Sequence, residues 1–100
     1  MTYNISVQPK ASKEALRAYK YYEEIRIGLE ERFLKELNIV FTSLSLYPTN
    51  FGFIDERKIL RDVILKVFPY TVIYKIDGIT VVIVTIHNSY RNPKRRYGKS

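Results

Sequence analysis

Apolar and polar positions change their period twice along this chain. Tyr3, Ile5 and Val7 alternate with Asn4 and Ser6, which predicts a short strand that Pro9 ends. A helix follows from Ala11, or from Ser12 acting as its N-cap, to about Arg26. Two buried edges fit that helix: Leu16, Tyr19, Tyr22 or Glu23, and Arg26, or Ala15, Ala18, Tyr22 and Ile25. Gly28 reads as the left-handed residue that closes it. Leu29, Phe33, Leu37, Val40, Phe41, Leu44 and Tyr47 then recur at three and four residues, which predicts a second helix from Leu29 to just before Pro48, paired antiparallel with the first.

After a turn-rich stretch, PTNFGFIDE, the period falls to two. Lys58 to Val67 reads as a strand with Ile59, Arg61, Val63 and Leu65 on one face and Leu60, Asp62, Ile64 and Lys66 on the other. Tyr70 to Ile76 and Ile79 to His87 form a hairpin across Asp77-Gly78, a pair suited to a type I′ turn. Strict alternation would put Val82, Val84 and Ile86 on one face of the last strand, and Ile79, Val81, Ile83, Thr85 and His87 on the other. Both faces are apolar in the middle, as expected of a central strand. The predicted order is β-α-α-β-β-β. Segregation of helices from strands makes this an α+β fold, a helical hairpin on one face of a largely antiparallel sheet.

The segment from Phe68 to Arg96 joins that buried hairpin directly to a basic tail. Here the chain resembles the ParE/RelE superfamily of toxins from bacterial type II toxin–antitoxin, or plasmid-stabilisation, systems. The resemblance rests on Phe68-Pro69-Tyr70, on Val72-Ile73-Tyr74-Lys75-Ile76, and on an apolar strand that ends His87-x-x-x-Arg91-Asn92-Pro93. Upstream, Ala15, Tyr21-Tyr22, Gly28-Leu29, Arg32-Phe33 and Leu37 fit the family's helical hairpin. It covers nearly the whole chain and implies the β-α-α-β-β-β fold, a cognate antitoxin as partner, and operator DNA met only through the antitoxin complex.

Two branches of that superfamily imply different activities. A RelE-like, ribosome-dependent endoribonuclease cutting mRNA needs a proton acceptor for the ribose 2′-hydroxyl, cations for the charge developing on phosphorus, and an acid for the leaving oxygen. Arg61, His87, Tyr90 and Arg91, with Lys58, are the candidate set. In the RelE-like branch, however, the tyrosine opening the penultimate strand is typically followed by arginine, and the strand before it carries alternating lysines. This chain has Thr71, Asp62 and Ile64 at the corresponding places. An acid and an aliphatic side chain cannot neutralise phosphate, so the chain is more similar to the ParE-like branch, whose members bind and poison DNA gyrase. On that reading Arg61, Tyr90, Arg91, Arg95 and Arg96 form the target-binding surface. A non-toxic, degenerate family member is the third reading.

Composition narrows the chemistry. One hundred residues, 46% hydrophobic, are expected to make one domain over residues 1–100 with a basic tail over 88–100. With no cysteine and a single histidine, disulfides, thiolate chemistry and Cys- or His-rich metal sites have no ligands, and no cofactor is expected. No run approaches the ~20 apolar residues of a membrane span, and the N-terminus lacks the pattern of a secretory signal. A cytoplasmic protein that meets no membrane is expected. The net charge of +7 is concentrated at the C-terminus, where residues 88–100 hold five cations and no acid. A solvated tail is the plain reading of such a run, and its position beside His87 and Tyr90 favours a working surface. Tyr19, Tyr21 and Tyr22 invite comparison with a base-stacking platform, but consecutive helical residues cannot share one face, so packing between helix and sheet is expected.

Overall fold

The computed structural model describes residues 2–90. Its elements are β1 (Asn4–Val7), α1 (Pro9–Ile25), α2 (Leu29–Leu46), a single 3-10 turn (Pro48–Asn50), β2 (Leu60–Ile64), β3 (Tyr70–Asp77) and β4 (Thr80–Asn88). The strands form one sheet in the order β1-β4-β3-β2, antiparallel except where β1 pairs parallel with the first half of β4. This is the expected α+β architecture, with the helical hairpin on one sheet face. Among the described residues no helix is long and apolar enough to cross a membrane.

Local chemistry explains most of the boundaries. Helix α1 begins at Pro9 rather than at Ala11 or Ser12, because proline lacks only an N–H that the first turn would leave unpaired anyway. Gly28 has φ +95°, a conformation costly for any residue with a Cβ, and its N–H donates to Glu30 Oε1 at 2.9 Å. The connection between the helices is thereby closed in three residues. Strand β2 is shorter than Lys58 to Val67. Asp55 Oδ1 accepts from the N–H groups of Ile59 and Leu60, which curls the preceding residues into a turn with Lys58 at φ +58°.

Two sequence expectations about the hairpin need correction. Asp77 pairs with Thr80, so the loop residues are Gly78 and Ile79, and Gly78 alone has positive φ. That is the pattern of a type II′ turn, with glycine at its first central position, rather than type I′. The register also jumps: Ile73 faces Thr85 while Tyr74 faces Ile83, leaving Val84 as the extra residue of a β-bulge. A bulge reverses the alternation beyond it. Val81, Ile83 and Ile86 therefore all enter the helix-facing core, although strict alternation puts Ile86 on the other side.

The core lies between the hairpin and the sheet. Ala11, Ala18 and Tyr22 of α1 and Phe33, Leu37 and Leu44 of α2 pack on Val72, Tyr74, Val81 and Ile83, with Leu65 and Phe68 closing one end. Of the two edges open for α1, Ala15, Ala18 and Tyr22 turn inward while Leu16 is exposed, but Ile25, the last member of that edge, is exposed at the helix end. Tyr22, Phe33, Phe68 and Tyr70 form an aromatic cluster with centroid distances from 4.8 to 6.2 Å, mostly edge-to-face. Each such pair contributes about 0.5–1.5 kcal/mol beyond its buried area. Burial, with Tyr70 alongside, pushes the Tyr22 phenol up to about 12. Tyr74, also buried and pushed up to about 12, keeps its hydroxyl satisfied by donating to the Pro48 carbonyl.

One acidic side chain holds the turn between β2 and β3. The Glu36 carboxylate on α2 accepts from Lys66 N–H at 2.6 Å, from Val67 N–H at 3.2 Å and from Phe68 N–H at 3.3 Å. One carboxylate thus gathers three consecutive backbone donors, the last of them on buried Phe68. Glu36→Ala is expected to lower the unfolding free energy by about 1.5 kcal/mol, the low end of the range for hydrogen bonds to a charged group because two of the three donors are solvent-exposed. Urea denaturation should show a lower midpoint with an unchanged slope, and an unchanged midpoint would refute the clamp.

Candidate target-binding surface

Cross-strand register separates the candidate residues by face. Arg61 pairs with Tyr74, which pairs with Ile83, all on the helix side. Ile64 pairs with Thr71, which pairs with His87, on the side turned away from the helices. Arg61 and His87 thus stand on opposite faces, with β3 between their strands.

The Arg61 guanidinium is engaged locally. It donates to the Phe51 carbonyl at 2.6 Å and to the Thr49 carbonyl at 3.4 Å, and it lies 3.9 Å from the centre of the Phe53 ring. These contacts pin the loop before β2 against the sheet edge. Lys58 is exposed at the tip of that loop.

At the far end of the sheet, β4 outruns β1. β1 meets only Thr80 to Ile83, so the later residues of β4 lack a strand on that side. Glu14 of α1 fills part of the gap: its Oε1 accepts from Ile86 N–H at 2.9 Å and from the Thr85 hydroxyl at 2.6 Å. Beside this contact opens a cleft of about 420 Å³ lined by Glu14, Arg17, Tyr21, Tyr70, His87 and Asn88. His87 is half-buried there. Desolvation holds its pKa below the usual value of 6.5, with Lys10 also lowering it and Glu14 and Asp62 acting the other way. Its imidazole is therefore predominantly neutral at pH 7.

The chain leaves β4 through a short, hydrogen-bonded turn. Ser89 N–H donates to the Pro69 carbonyl at 2.7 Å, the Ser89 and Thr71 hydroxyls share a hydrogen bond at 2.7 Å, and Tyr90 N–H donates to Asn88 Oδ1 at 2.9 Å. Tyr90 itself is 80% exposed. The structure thus brings His87 and Tyr90 to one end of the molecule and leaves Arg61 at the opposite edge strand. Arg91, Arg95 and Arg96 lie outside the described residues. Sequence reasoning missed Glu14, Arg17 and Asn88. The repeat of cations at residues 10, 13, 17 and 20 was the available signal for Arg17, whereas Asn88 and Glu14 meet only through the fold.

A helical hairpin on a four-stranded mixed sheet, with the single histidine at the open end of its last strand, makes a small α+β domain. The family described as "ParE toxin of type II toxin-antitoxin system, parDE" matches residues 5–93, and the chain belongs to that family. Among solved structures it is similar to a chain of the chromosomal ParDE TA system from P. aeruginosa, with 18% identity and a TM-score of 0.70 over 86% of this chain and 95% of that one. At that identity the likeness speaks for the fold. No curated protein matches the chain.

The lowered pKa of His87 has a consequence for stability. Below about pH 6.5 the unfolded chain takes up a proton that the folded chain resists, so acidification favours unfolding through this group, and its contribution is intact above 6.5. A His87→Gln variant that folds should lose less stability between pH 7 and pH 5 than the parent does. Parallel urea titrations at the two pH values measure the difference, and equal acid losses would refute it.

Proposed function

We propose that this ParE-family toxin arrests growth by binding and poisoning DNA gyrase, and that a cognate antitoxin neutralises it. The observation that carries this reading is the composition of the sheet face around His87. Ile64 and Thr71 flank it across the strands, and Asp62 lies further along β2 on the same face. A ribonuclease would need cations at these places to meet phosphate. Arg61, the nearest strand cation in the candidate set, is turned to the other face and occupied by loop carbonyls. A set that does not converge on one phosphate supports binding over cleavage.

On this reading the target-binding surface is built by Tyr90, Arg91, Arg95 and Arg96, with Arg61 holding the loop at the far edge. Its cations supply steering and specificity rather than chemistry. The antitoxin covers apolar surface left outside the core. The outer side of α2 offers a shallow groove with exposed Leu34 and Ile39 beside Lys35, which suits an amphipathic segment carrying acidic residues.

Pulse-labelling of DNA and protein synthesis in the first minutes after induction without antitoxin tests the target. DNA synthesis is expected to stop while translation continues, and early arrest of translation would overturn the gyrase reading. Deletion of Tyr90 to Ser100 is expected to abolish the arrest. Full toxicity of that truncated chain, with its circular dichroism unchanged, would remove the tail from the target-binding surface.

A further inference from the structure

The outward side of α1 carries a row of cations that neither the core nor the proposed gyrase surface uses. Lys10, Lys13, Arg17 and Lys20 are all exposed and recur at three, four and three residues. At 3.6 residues per turn they fall within an arc of about 80° and span about 15 Å of helix. The arc lies opposite Ala11, Ala18 and Tyr22, which face the core. Among the described residues one ion pair touches the row, Lys10 Nζ to Glu14 Oε2 at 4.0 Å. Glu14 is itself committed to Thr85 and Ile86, and the next acid on the arc, Glu24, comes only a turn beyond Lys20.

We propose that this face of α1 is a docking surface for the phosphate backbone of duplex DNA, so that the chain binds DNA in its own right. Neighbouring cations three or four residues apart have Cβ atoms about 5–6 Å apart, a spacing that lets successive side chains reach successive phosphates of one strand. An acidic amphipathic peptide fits this face poorly. A single exposed leucine, Leu16, borders the row beside Lys13 and Lys20, whereas the groove with exposed Leu34 and Ile39 that such a peptide needs is on α2.

One end of the row lies beside the last described strand residues. Arg17 lines the same cleft as Asn88, and Arg91 follows three residues later at the head of a segment with five cations. Exposed Tyr21 and the Asn88 amide border the row and supply hydrogen-bonding groups for phosphate and sugar oxygens. The choice of DNA over RNA rests on the gyrase reading, since that enzyme works on duplex DNA. The surface itself does not.

Fluorescence anisotropy of the full chain with a short labelled DNA duplex of arbitrary sequence tests this without gyrase, so it can fail while the gyrase reading stands. Binding is expected to weaken with salt, and in Lys13→Gln/Arg17→Gln the logarithmic salt slope should shrink by ~0.9 for each phosphate that the variant no longer neutralises. Affinity at low salt should fall on the order of tenfold, the size expected when two phosphates go without their cations. Arg57→Gln/Lys66→Gln removes the same charge at two exposed sites elsewhere and should leave binding within about twofold, because only cations that touch phosphate release counterions. Both variants are checked by circular dichroism. Equal weakening by the two pairs, equal competition by polyglutamate of matched charge, or tighter binding of an RNA duplex would each overturn the proposal.

Discussion

The fold depends on two carboxylates that finish hydrogen bonding the sheet cannot finish for itself. A four-residue β1 beside a nine-residue β4 leaves the later donors of β4 facing outward, and the β2–β3 connection turns three further N–H groups toward a helix. Buried backbone donors without acceptors cost about as much as the hydrogen bonds they lack. Glu14 answers the first shortage from α1, and Glu36 answers the second from α2. Each helix is thereby tied to the sheet by a directional contact, while the aromatic cluster supplies the non-directional packing between them.

That arrangement decides where function can sit. With one face covered by helices and the Arg61 edge stitched to its own loop, the surfaces left for partners are the uncovered sheet face, the outer sides of the helices, and the end where β4 outruns β1. The last of these is where His87, Tyr90, Asn88 and Arg17 gather, and where the basic tail begins. Burial keeps His87 neutral, and on the same face Asp62 and Ile64 leave β2, one strand beyond β3, poor in cations.

The pattern of residues determined the element order, the helical hairpin, the left-handed glycine between the helices and the alternation of β2 into two faces, because each follows from local periodicity or from a single residue's stereochemistry. Phe-Pro-Tyr, the strand that follows it, the His-x-x-x-Arg-Asn-Pro ending and the helical-hairpin residues, taken in their order and spacing, placed the chain in its family. The bulge at Val84 was not legible, since an extra residue in a ladder depends on the partner strand and leaves no mark in an apolar run where every position is Val, Ile or Thr. Nor was the turn type, because Asp77 followed by Gly78 suits either register, and the cross-strand pairing of Asp77 with Thr80 selects one.

Only the tertiary structure decided which candidate residues share a surface. Arg61 and His87 both stand on strands with ordinary alternation signals, but a sheet has two faces, and the sequence carries no record of which face of one strand aligns with which face of another. Register supplies that, and it sets them apart. The partners of Glu14 and Glu36 lie about 72 and 30 residues away along the chain, at separations where local propensity has no reach. The physical reason is the same in each case: periodicity tells a residue's side within its own element, and only packing tells what that side meets.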